Sequence, residues 1–188
     1  GTYLHNSAVF HQITGQFAKA RAYYLRSLDA NESNIEAWIN LAIIDAQRND
    51  YASAIAHCKR ALKINPSSTE ALNNLGTAYE ESGQITEAIG VLKRAIRLKH
   101  DYAEAYANLG NALQKIYSSP KAGCFYEHAV RLKPTFANAR FSLGLVHLRS
   151  GALTSGWDGY EARLDVPSLL PQTLTELGPG VKNTLCRW

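Results

Sequence analysis

The chain has 188 residues, of which 46% are hydrophobic and 19% charged, and its formal net charge is +4. These values indicate a globular protein and exclude a disordered one. No stretch approaches the roughly 20 consecutive apolar residues of a membrane-spanning helix, so we expect a cytoplasmic protein without a membrane segment. Gly1 and the absence of methionine suggest a fragment whose native start is missing.

A unit of 34 residues repeats along the chain without gaps. Residues 1–34 form a weak first copy, residues 35–68, 69–102 and 103–136 are well-defined copies, and a last copy covers residues 137–166. Residues 167–188 contain several prolines and glycines and show no helical period. We interpret them as an irregular tail or as the start of a truncated following domain.

Apolar spacing predicts two helices in each copy. The first helix is expected to end near equivalent positions, which are Gly15, Asn49, Gly83 and Gly151. In the fourth copy Ser119 and Pro120 are typical of a helix cap and a first-turn proline, so Pro120 should open the second helix there. Each copy is therefore predicted to be a helical hairpin.

Small residues recur at positions where two helices need close approach. One such column holds Ala42, Gly76, Gly110 and Gly144, and another holds Ala20, Ala54, Ala88 and Ala122. Large residues fill the column of Tyr24, Cys58, Leu92, Tyr126 and Tyr160. A leucine in place of Gly110 should collide with the adjacent helix, whereas we expect Gly110→Ala to be mild.

These columns resemble the tetratricopeptide repeat pattern, W-x2-L-G-x2-Y, then A-x3-F, then P, and Pro66 and Pro134 occupy its terminal place. The resemblance implies an all-α, right-handed superhelical solenoid of about five helix-turn-helix hairpins. The last copy contains Gly156, Trp157 and Tyr160, in a segment that resembles the final repeat of bacterial arrays preceding a glycosyltransferase-like domain. The alternative is a hydrophobic cap, with Trp157 and Tyr160 covering the end of the core.

In this family the first helices line a concave groove, so their columns are candidate peptide-binding positions. One column is an asparagine series, and an adjacent one is acidic. The candidate residues are Asn6, Asn40, Asn74 and Asn108, then Glu36, Glu70 and Glu104, with the helical neighbours Asn73, Thr77 and Asn111. Asparagine amides can pair with the backbone of an extended peptide, as in the similar ladder of protein O-GlcNAc transferases. Alternatively, these amides bond to neighbouring repeats.

The acidic column predicts a basic, extended ligand. The lysines and arginine of the chaperone-tail clamp are absent, because Glu36, Asn73 and Ala107 are among the residues at those places. Positive charge lies on the second helices, in a column of Arg26, Arg60, Arg94 and His128. Aromatic residues that could stack bases are not interleaved with it, which disfavours nucleic acid.

No catalytic or cofactor pattern accompanies the repeats. Cys58, Cys124 and Cys186 lack CxxC spacing, and Cys58 falls in a core column. The histidines are scattered without an HExxH pattern, and no glycine-rich phosphate loop is present. We therefore expect no metal, no cofactor and no enzymatic activity in this chain.

The sequence thus predicts a protein–protein interaction scaffold that binds an extended peptide or protein segment in its groove. The alternative is the substrate-recognition arm of a larger glycosyltransferase. Because a solenoid exposes apolar surface where its terminal repeats are uncovered, we also expect a homo-oligomer formed through the ends of the array.

Overall fold

The computed structural model describes residues 2–117 and 120–166, which form ten α-helices and one 3-10 helix. The α-helices are α1 Thr2–Ile13, α2 Phe17–Ala30, α3 Ile35–Gln47, α4 Tyr51–Ile64, α5 Thr69–Glu81, α6 Ile85–Leu98, α7 Ala103–Tyr117, α8 Pro120–Leu132, α9 Ala137–Arg149 and α10 Leu153–Tyr160, and the 3-10 helix is Glu161–Asp165. These two ranges contain no strand, in agreement with the predicted all-α class.

Short polar side chains begin several helices. The Asn34, Asp50 and Ser68 side chains accept hydrogen bonds from backbone N–H groups three residues ahead, at 3.2, 3.1 and 3.3 Å. Each bond satisfies an N–H group that has no partner within its own helix. These caps fix the starts of α3, α4 and α5.

The predicted first-helix ends are confirmed by backbone angles. Positive φ values mark the turns after α1, α3, α5 and α9, at Gly15, Asn49, Gly83 and Gly151. The equivalent residue of the fourth hairpin is Tyr117, and there α7 continues as helix. Helix α8 begins at Pro120 as predicted, whereas the proposed cap Ser119 lies outside the described residues.

The helices pair into five successive hairpins in the described ranges, α1/α2, α3/α4, α5/α6, α7/α8 and α9/α10. Each hairpin packs on the next through α2/α3, α4/α5, α6/α7 and α8/α9. The first helix α5 also contacts α3 and α7 directly, and we call these three the inner helices. In the described ranges the main contacts thus join helices of one hairpin or of neighbouring hairpins, which is the arrangement of a solenoid and confirms the predicted architecture.

The small-residue columns lie at close helix contacts. A Cβ atom added to Gly76 would stand 2.5 Å from Leu92 Cγ, and one added to Gly110 would stand 2.7 Å from Tyr126 Cε1. At Gly144 the nearest atom is the backbone nitrogen of Tyr160, at 2.5 Å. The expectation that Gly110→Ala is mild is therefore wrong, because even a methyl group must displace the Tyr126 ring.

The two ends of the described solenoid expose apolar side chains. Tyr3 is 78% exposed and Phe10 62%, both on α1. At the position of Tyr3 the later hairpins carry alanines that the preceding hairpin buries, namely Ala37, Ala71, Ala105 and Ala139. At the other end Tyr160 packs against Phe141 with ring centroids 5.5 Å apart, but Trp157 is 55% exposed. Of the two predicted cap residues, Tyr160 therefore covers core and Trp157 largely does not.

The tail at 167–188, with Cys186, lies outside the described residues. Cys58 is buried in the core as predicted, and burial raises the pKa of its thiol to about 12. Within residues 2–117 and 120–166 no helix combines the length and apolar character needed to cross a bilayer.

Candidate functional site

The predicted binding residues all lie on the inner helices or on α1, but their surroundings differ. Asn6 is exposed on α1 and Asn40 is half-buried on α3, and neither side chain has a hydrogen-bond partner among the described residues. Several of the others lie on two adjacent inner surfaces: Asn74 and Thr77 between α3 and α5, and Asn73, Thr77 and Asn108 between α5 and α7. We call these the α3/α5 groove and the α5/α7 groove.

In the α5/α7 groove, hydrogen bonds join three of the predicted residues. Asn108 Nδ2 donates to Asn73 Oδ1 at 3.0 Å and to Thr77 Oγ1 at 3.1 Å. The Thr77 hydroxyl in turn donates to the Asn73 backbone carbonyl at 3.3 Å. Asn108 thus bonds to the neighbouring repeat, which was the alternative role considered for this column, and both donor hydrogens of its amide are in use.

An ion-pair cluster extends the same groove toward the helix ends. Lys115 Nζ lies 3.1 Å from Glu80 Oε1 and 3.8 Å from Glu81 Oε1. Burial raises the pKa of Glu80, while the hydrogen bond and charge of Lys115 act in the opposite direction. The α5/α7 groove is therefore polar and largely closed by its own side chains.

In the α3/α5 groove the equivalent bonds cannot form. One repeat earlier, the places of Asn73 and Thr77 are occupied by Ile39 and Ile43, whose side chains have no acceptor atoms. Asn74, the equivalent of Asn108, consequently has a buried Nδ2 without a hydrogen-bond partner in the described part of the chain. An unsatisfied buried donor costs about 1–3 kcal/mol, so this amide stands out as a group that a ligand could satisfy.

A cavity of about 280 Å³ adjoins this unpaired amide. Its lining combines small apolar residues with a few polar ones, namely Ala42, Ile43, Ala46, Gln47, Tyr51, Asn74, Thr77, Ala78 and Glu81. Ala46 leaves room in this lining, because the equivalent residues of the other repeats have longer side chains, namely Gln12, Glu80, Gln114 and Leu148. Of this lining, the sequence analysis predicted only Asn74 and Thr77. The short side chain of Ala46, in a column of longer residues, could have indicated the cavity.

Asn111 is held by a tyrosine rather than presented freely. The Tyr126 hydroxyl donates toward two amide oxygens, Asn111 Oδ1 at 2.8 Å and Gln114 Oε1 at 3.1 Å. Burial raises the pKa of Tyr126 to about 12, so this donor keeps its proton throughout the physiological range. Tyr24 bonds to Gln12 in the same way, at 2.7 Å. These contacts tie the two helices of a hairpin together.

The predicted acidic column is not uniform. Glu104 Oε1 pairs with Lys133 Nζ at 2.8 Å, which lowers the pKa of Glu104. Glu36 lies 3.5 Å from His5 Nε2, and Glu70 is exposed with no ion pair in residues 2–117 or 120–166. All three also stand in the first turn of a helix, where a carboxylate is stabilised by the helix dipole.

A buried cluster of charged residues between the first two hairpins was not predicted from the sequence. Asp45 is 1% exposed and lies 2.8 Å from Arg21 Nε and 3.0 Å from His57 Nδ1. Burial lowers the pKa of His57, although Asp45 acts to raise it. The residues come from α2, α3 and α4, and the cluster holds these helices together. The described ranges contain no group of histidine, cysteine and acidic residues arranged to hold a metal ion.

The outer basic column makes contacts that join neighbouring repeats. Arg60 Nη1 lies 3.4 Å from Glu32 Oε1, and Arg94 Nη2 donates to the Pro66 carbonyl at 2.6 Å. Glu32 lies in the connection between α2 and α3, and Pro66 lies in the connection between α4 and α5. Each arginine therefore contacts the loop that leads into its own hairpin. These arginines therefore have a packing role on the outer surface.

Two tetratricopeptide repeat profiles match the sequence, one over residues 14–69 and the other over residues 45–113, and together they span more than half of the chain. The chain belongs to the tetratricopeptide repeat (TPR) family. No curated protein gives a significant match to this TPR sequence.

Solved structures with the same fold include MamA, which is 26% identical with a TM-score of 0.70, over 95% of this chain and 96% of that one. YrrB, described as a TPR protein with an unusual peptide-binding site, is 19% identical with a TM-score of 0.63, over 88% and 85%. The first TPR domain of Spaghetti (RPAP3), bound to the HSP90 peptide SRMEEVD, is 24% identical with a TM-score of 0.60, over 63% and 93%. The last two resemble this chain in fold alone.

Proposed function

We propose that this TPR protein binds an extended peptide or protein segment along its inner helices. The observation that carries the proposal is the cavity of the α3/α5 groove beside the unpaired Asn74 amide. An extended peptide offers backbone carbonyl groups that such a donor can bind. Support comes also from YrrB and RPAP3, whose descriptions include a peptide-binding site or a bound peptide.

The ligand we propose is basic. Glu70 is exposed without an ion pair among the described residues, and Glu36 faces only a histidine, so both carboxylates are available to a cationic side chain. The RPAP3 peptide SRMEEVD is rich in acidic residues. Acidic residues in the first turns of the inner helices would repel such a peptide, so this chain should prefer a basic peptide instead.

A peptide array probed with the purified chain tests both parts of this proposal. We expect basic, flexible peptides to be retained in preference to acidic ones. Glu70→Lys should weaken this binding by about two- to fivefold, the range of one exposed ion pair. Its matched control is Glu87→Lys, because Glu87 is an exposed residue in the first turn of α6 and lies outside the groove. Preferred binding of acidic peptides, or equal effects of the two variants, would contradict the proposal.

Several finer roles stay predictions. The asparagine column and the segment around Trp157 are the two features that favour a glycosyltransferase arm. In the structure, Gly156 and Gly159 of that segment serve close packing, since added Cβ atoms would stand 2.7 Å from Leu148 and Gly144 atoms respectively. We likewise propose that the chain is not catalytic and lies in the cytoplasm. We also propose that it does not bind nucleic acid.

Self-association through the array ends is a further part of the proposed function. Tyr3, Phe10 and Ile13 are exposed apolar residues of α1, and the next three hairpins bury the places of Tyr3 and Phe10 against their predecessors. A second copy of the chain could cover these residues and remove them from water. Light scattering over a concentration series should show dimers that Phe10→Lys abolishes, and a strict monomer at high concentration would refute this part.

A further inference from the structure

We propose that the cavity of the α3/α5 groove is a specificity pocket for one aliphatic side chain of the bound segment, and that Asn74 donates a hydrogen bond to the backbone carbonyl next to that side chain. This inference rests on the proposed function, since it assigns a chemical identity to part of the peptide. It predicts a ligand with a valine- to leucine-sized residue close to a basic one.

The size of the cavity limits its occupant. Its volume of about 280 Å³ falls just below the range of about 300–1,000 Å³ that is usual for sites of small organic ligands. One aliphatic side chain with its adjoining backbone fits a space of this size. Ala42, Ala46 and Ala78 contribute only methyl groups, so the floor is apolar and favours an apolar side chain.

The unpaired amide supplies the polar contact. Asn74 Nδ2 is shielded from water in the absence of a ligand and has no acceptor in the described residues. The terminal torsion of asparagine has a broad energy profile, so a modest rotation turns the amide toward the cavity that Asn74 lines. A ligand carbonyl beside the inserted side chain would then satisfy the donor.

Polar residues on the rim set the charge preference. Gln47 and Glu81 line the mouth of the cavity, and both residues are exposed. The Glu81 carboxylate lies 3.8 Å from Lys115 Nζ. A cationic ligand residue near the aliphatic one would meet the Glu81 carboxylate. Glu70 stands at the opposite end of α5, roughly 16 Å along the helix, and would meet a second cationic residue farther along the ligand.

The pocket gives the ligand a register along the solenoid. The α5/α7 groove cannot offer an equivalent pocket, because Asn73, Thr77 and Asn108 bond to each other and Lys115 pairs with Glu80. An aliphatic side chain therefore has its place between the second and third hairpins. Without such an anchor, an extended backbone could slide from one repeat to the next.

Fluorescence anisotropy with synthetic peptides tests the pocket. The probes are short labelled peptides that alternate serine and lysine around one central position, which is alanine, leucine or aspartate. The native chain should bind the leucine peptide about tenfold more tightly than the alanine peptide, because of the extra apolar surface buried. The aspartate peptide should bind more weakly than either.

Ala46→Gln fills the pocket with the side chain that two other repeats already carry at this position, Gln12 and Gln114. It should remove the preference for leucine, so that the leucine and alanine peptides bind with similar affinity. The control is Ala56→Gln, an identical change at an exposed position of α4. Asn74→Ala should weaken leucine and alanine peptides alike, by about two- to tenfold for one hydrogen bond.

The outcomes separate the pocket from the broader function. If peptides bind but leucine and alanine are equivalent in the native chain, the pocket is refuted and peptide binding stands. If Ala46→Gln keeps the leucine preference and circular dichroism shows it folded, the anchor lies elsewhere and the inference also fails. If no peptide binds the native chain, the proposed function itself is overturned.

Discussion

The two inner grooves are built from the same repeat positions, yet one is closed and the other is open. In the α5/α7 groove Asn108 finds acceptors on Asn73 and Thr77, whereas in the α3/α5 groove Asn74 faces Ile39 and Ile43. A change of two residues converts a structural amide into an unpaired one. The comparison teaches that a conserved-looking column in a repeat protein can hold different functions in successive copies, according to what the preceding helix offers.

Exchanging the acceptors is the strongest way to break this comparison. Ile39→Asn together with Ile43→Thr copies the α5/α7 arrangement onto α3. The lost apolar burial should lower the free energy of unfolding by about 2–4 kcal/mol, since new hydrogen bonds to Asn74 offset only part of it. Urea denaturation measures the loss. In this background Asn74→Ala should become destabilising, and an unchanged effect of Asn74→Ala would show that the acceptors do not explain the difference.

The paired alanine substitutions sharpen the comparison. Asn108→Ala removes two side-chain bonds and leaves the buried Asn73 without a donor, so it should cost about 1–3 kcal/mol of stability. Asn74→Ala removes no hydrogen bond that the described residues make, so its effect should lie within about 0.5 kcal/mol or be stabilising. Urea midpoints of the two variants measure the contrast. Equal losses would mean that both amides are structural.

A glycine substitution tests the size compensation that accompanies the two grooves. In the second hairpin Ala42 shares a core cluster with the small Cys58, whereas in the fourth Gly110 meets the Tyr126 ring. Gly110→Ala should therefore lower stability by roughly 1–2 kcal/mol through overpacking. A Cβ atom added to Gly90 on α6 would meet no atom within 4 Å, so Gly90→Ala should stabilise by about 0.5–1 kcal/mol through helix propensity. Thermal melts that rank the two in the reverse order would contradict the packing account.

The smallest expected effect concerns Glu80 in the α5/α7 groove. The folded state raises the pKa of Glu80 above its ordinary value of 4.5, so unfolding releases a proton there. Preferential protonation of Glu80 in the folded state therefore stabilises the fold below pH 4.5. This stabilisation is lost as pH rises through the raised pKa of Glu80. Lys115→Met removes the group that opposes the shift, so the pKa of Glu80 should rise further. Carboxyl NMR titration measures this change, and a fall of the pKa in the variant would contradict the assignment.

The fold could be predicted from sequence because its determinants repeat. The turns at Gly15, Asn49 and Gly83 and the small columns recur at one period, and each is a local requirement of backbone angle or helix approach. Pro120 could be placed at a helix start for a similar local reason. The cost of Gly110→Ala was misjudged because it depends on the ring of Tyr126, which belongs to another helix.

The candidate site was less accessible to sequence reasoning. The columns placed Asn74 and Asn108 on equivalent surfaces, but hydrogen-bond pairing depends on residues of the preceding inner helix. The cavity beside Ala46 was also hard to predict, because its size depends on how the side chains of two packed helices leave space between them. The buried Asp45 cluster could not be foreseen, because Arg21 and His57 belong to different helices and their approach is a property of the packed structure.

The most direct test of the account follows the side-chain amide signals of Asn74 and Asn108 by NMR while the serine–lysine peptide with a central leucine is added. The two signals report on equivalent positions in adjacent grooves and serve as each other's control. We predict that the Asn74 NH₂ signal shifts in a saturable manner and becomes protected from exchange, while the Asn108 signal keeps its position. Equal shifts at both positions, or a shift at Asn108 alone, would contradict the assignment of the α3/α5 groove as the binding site.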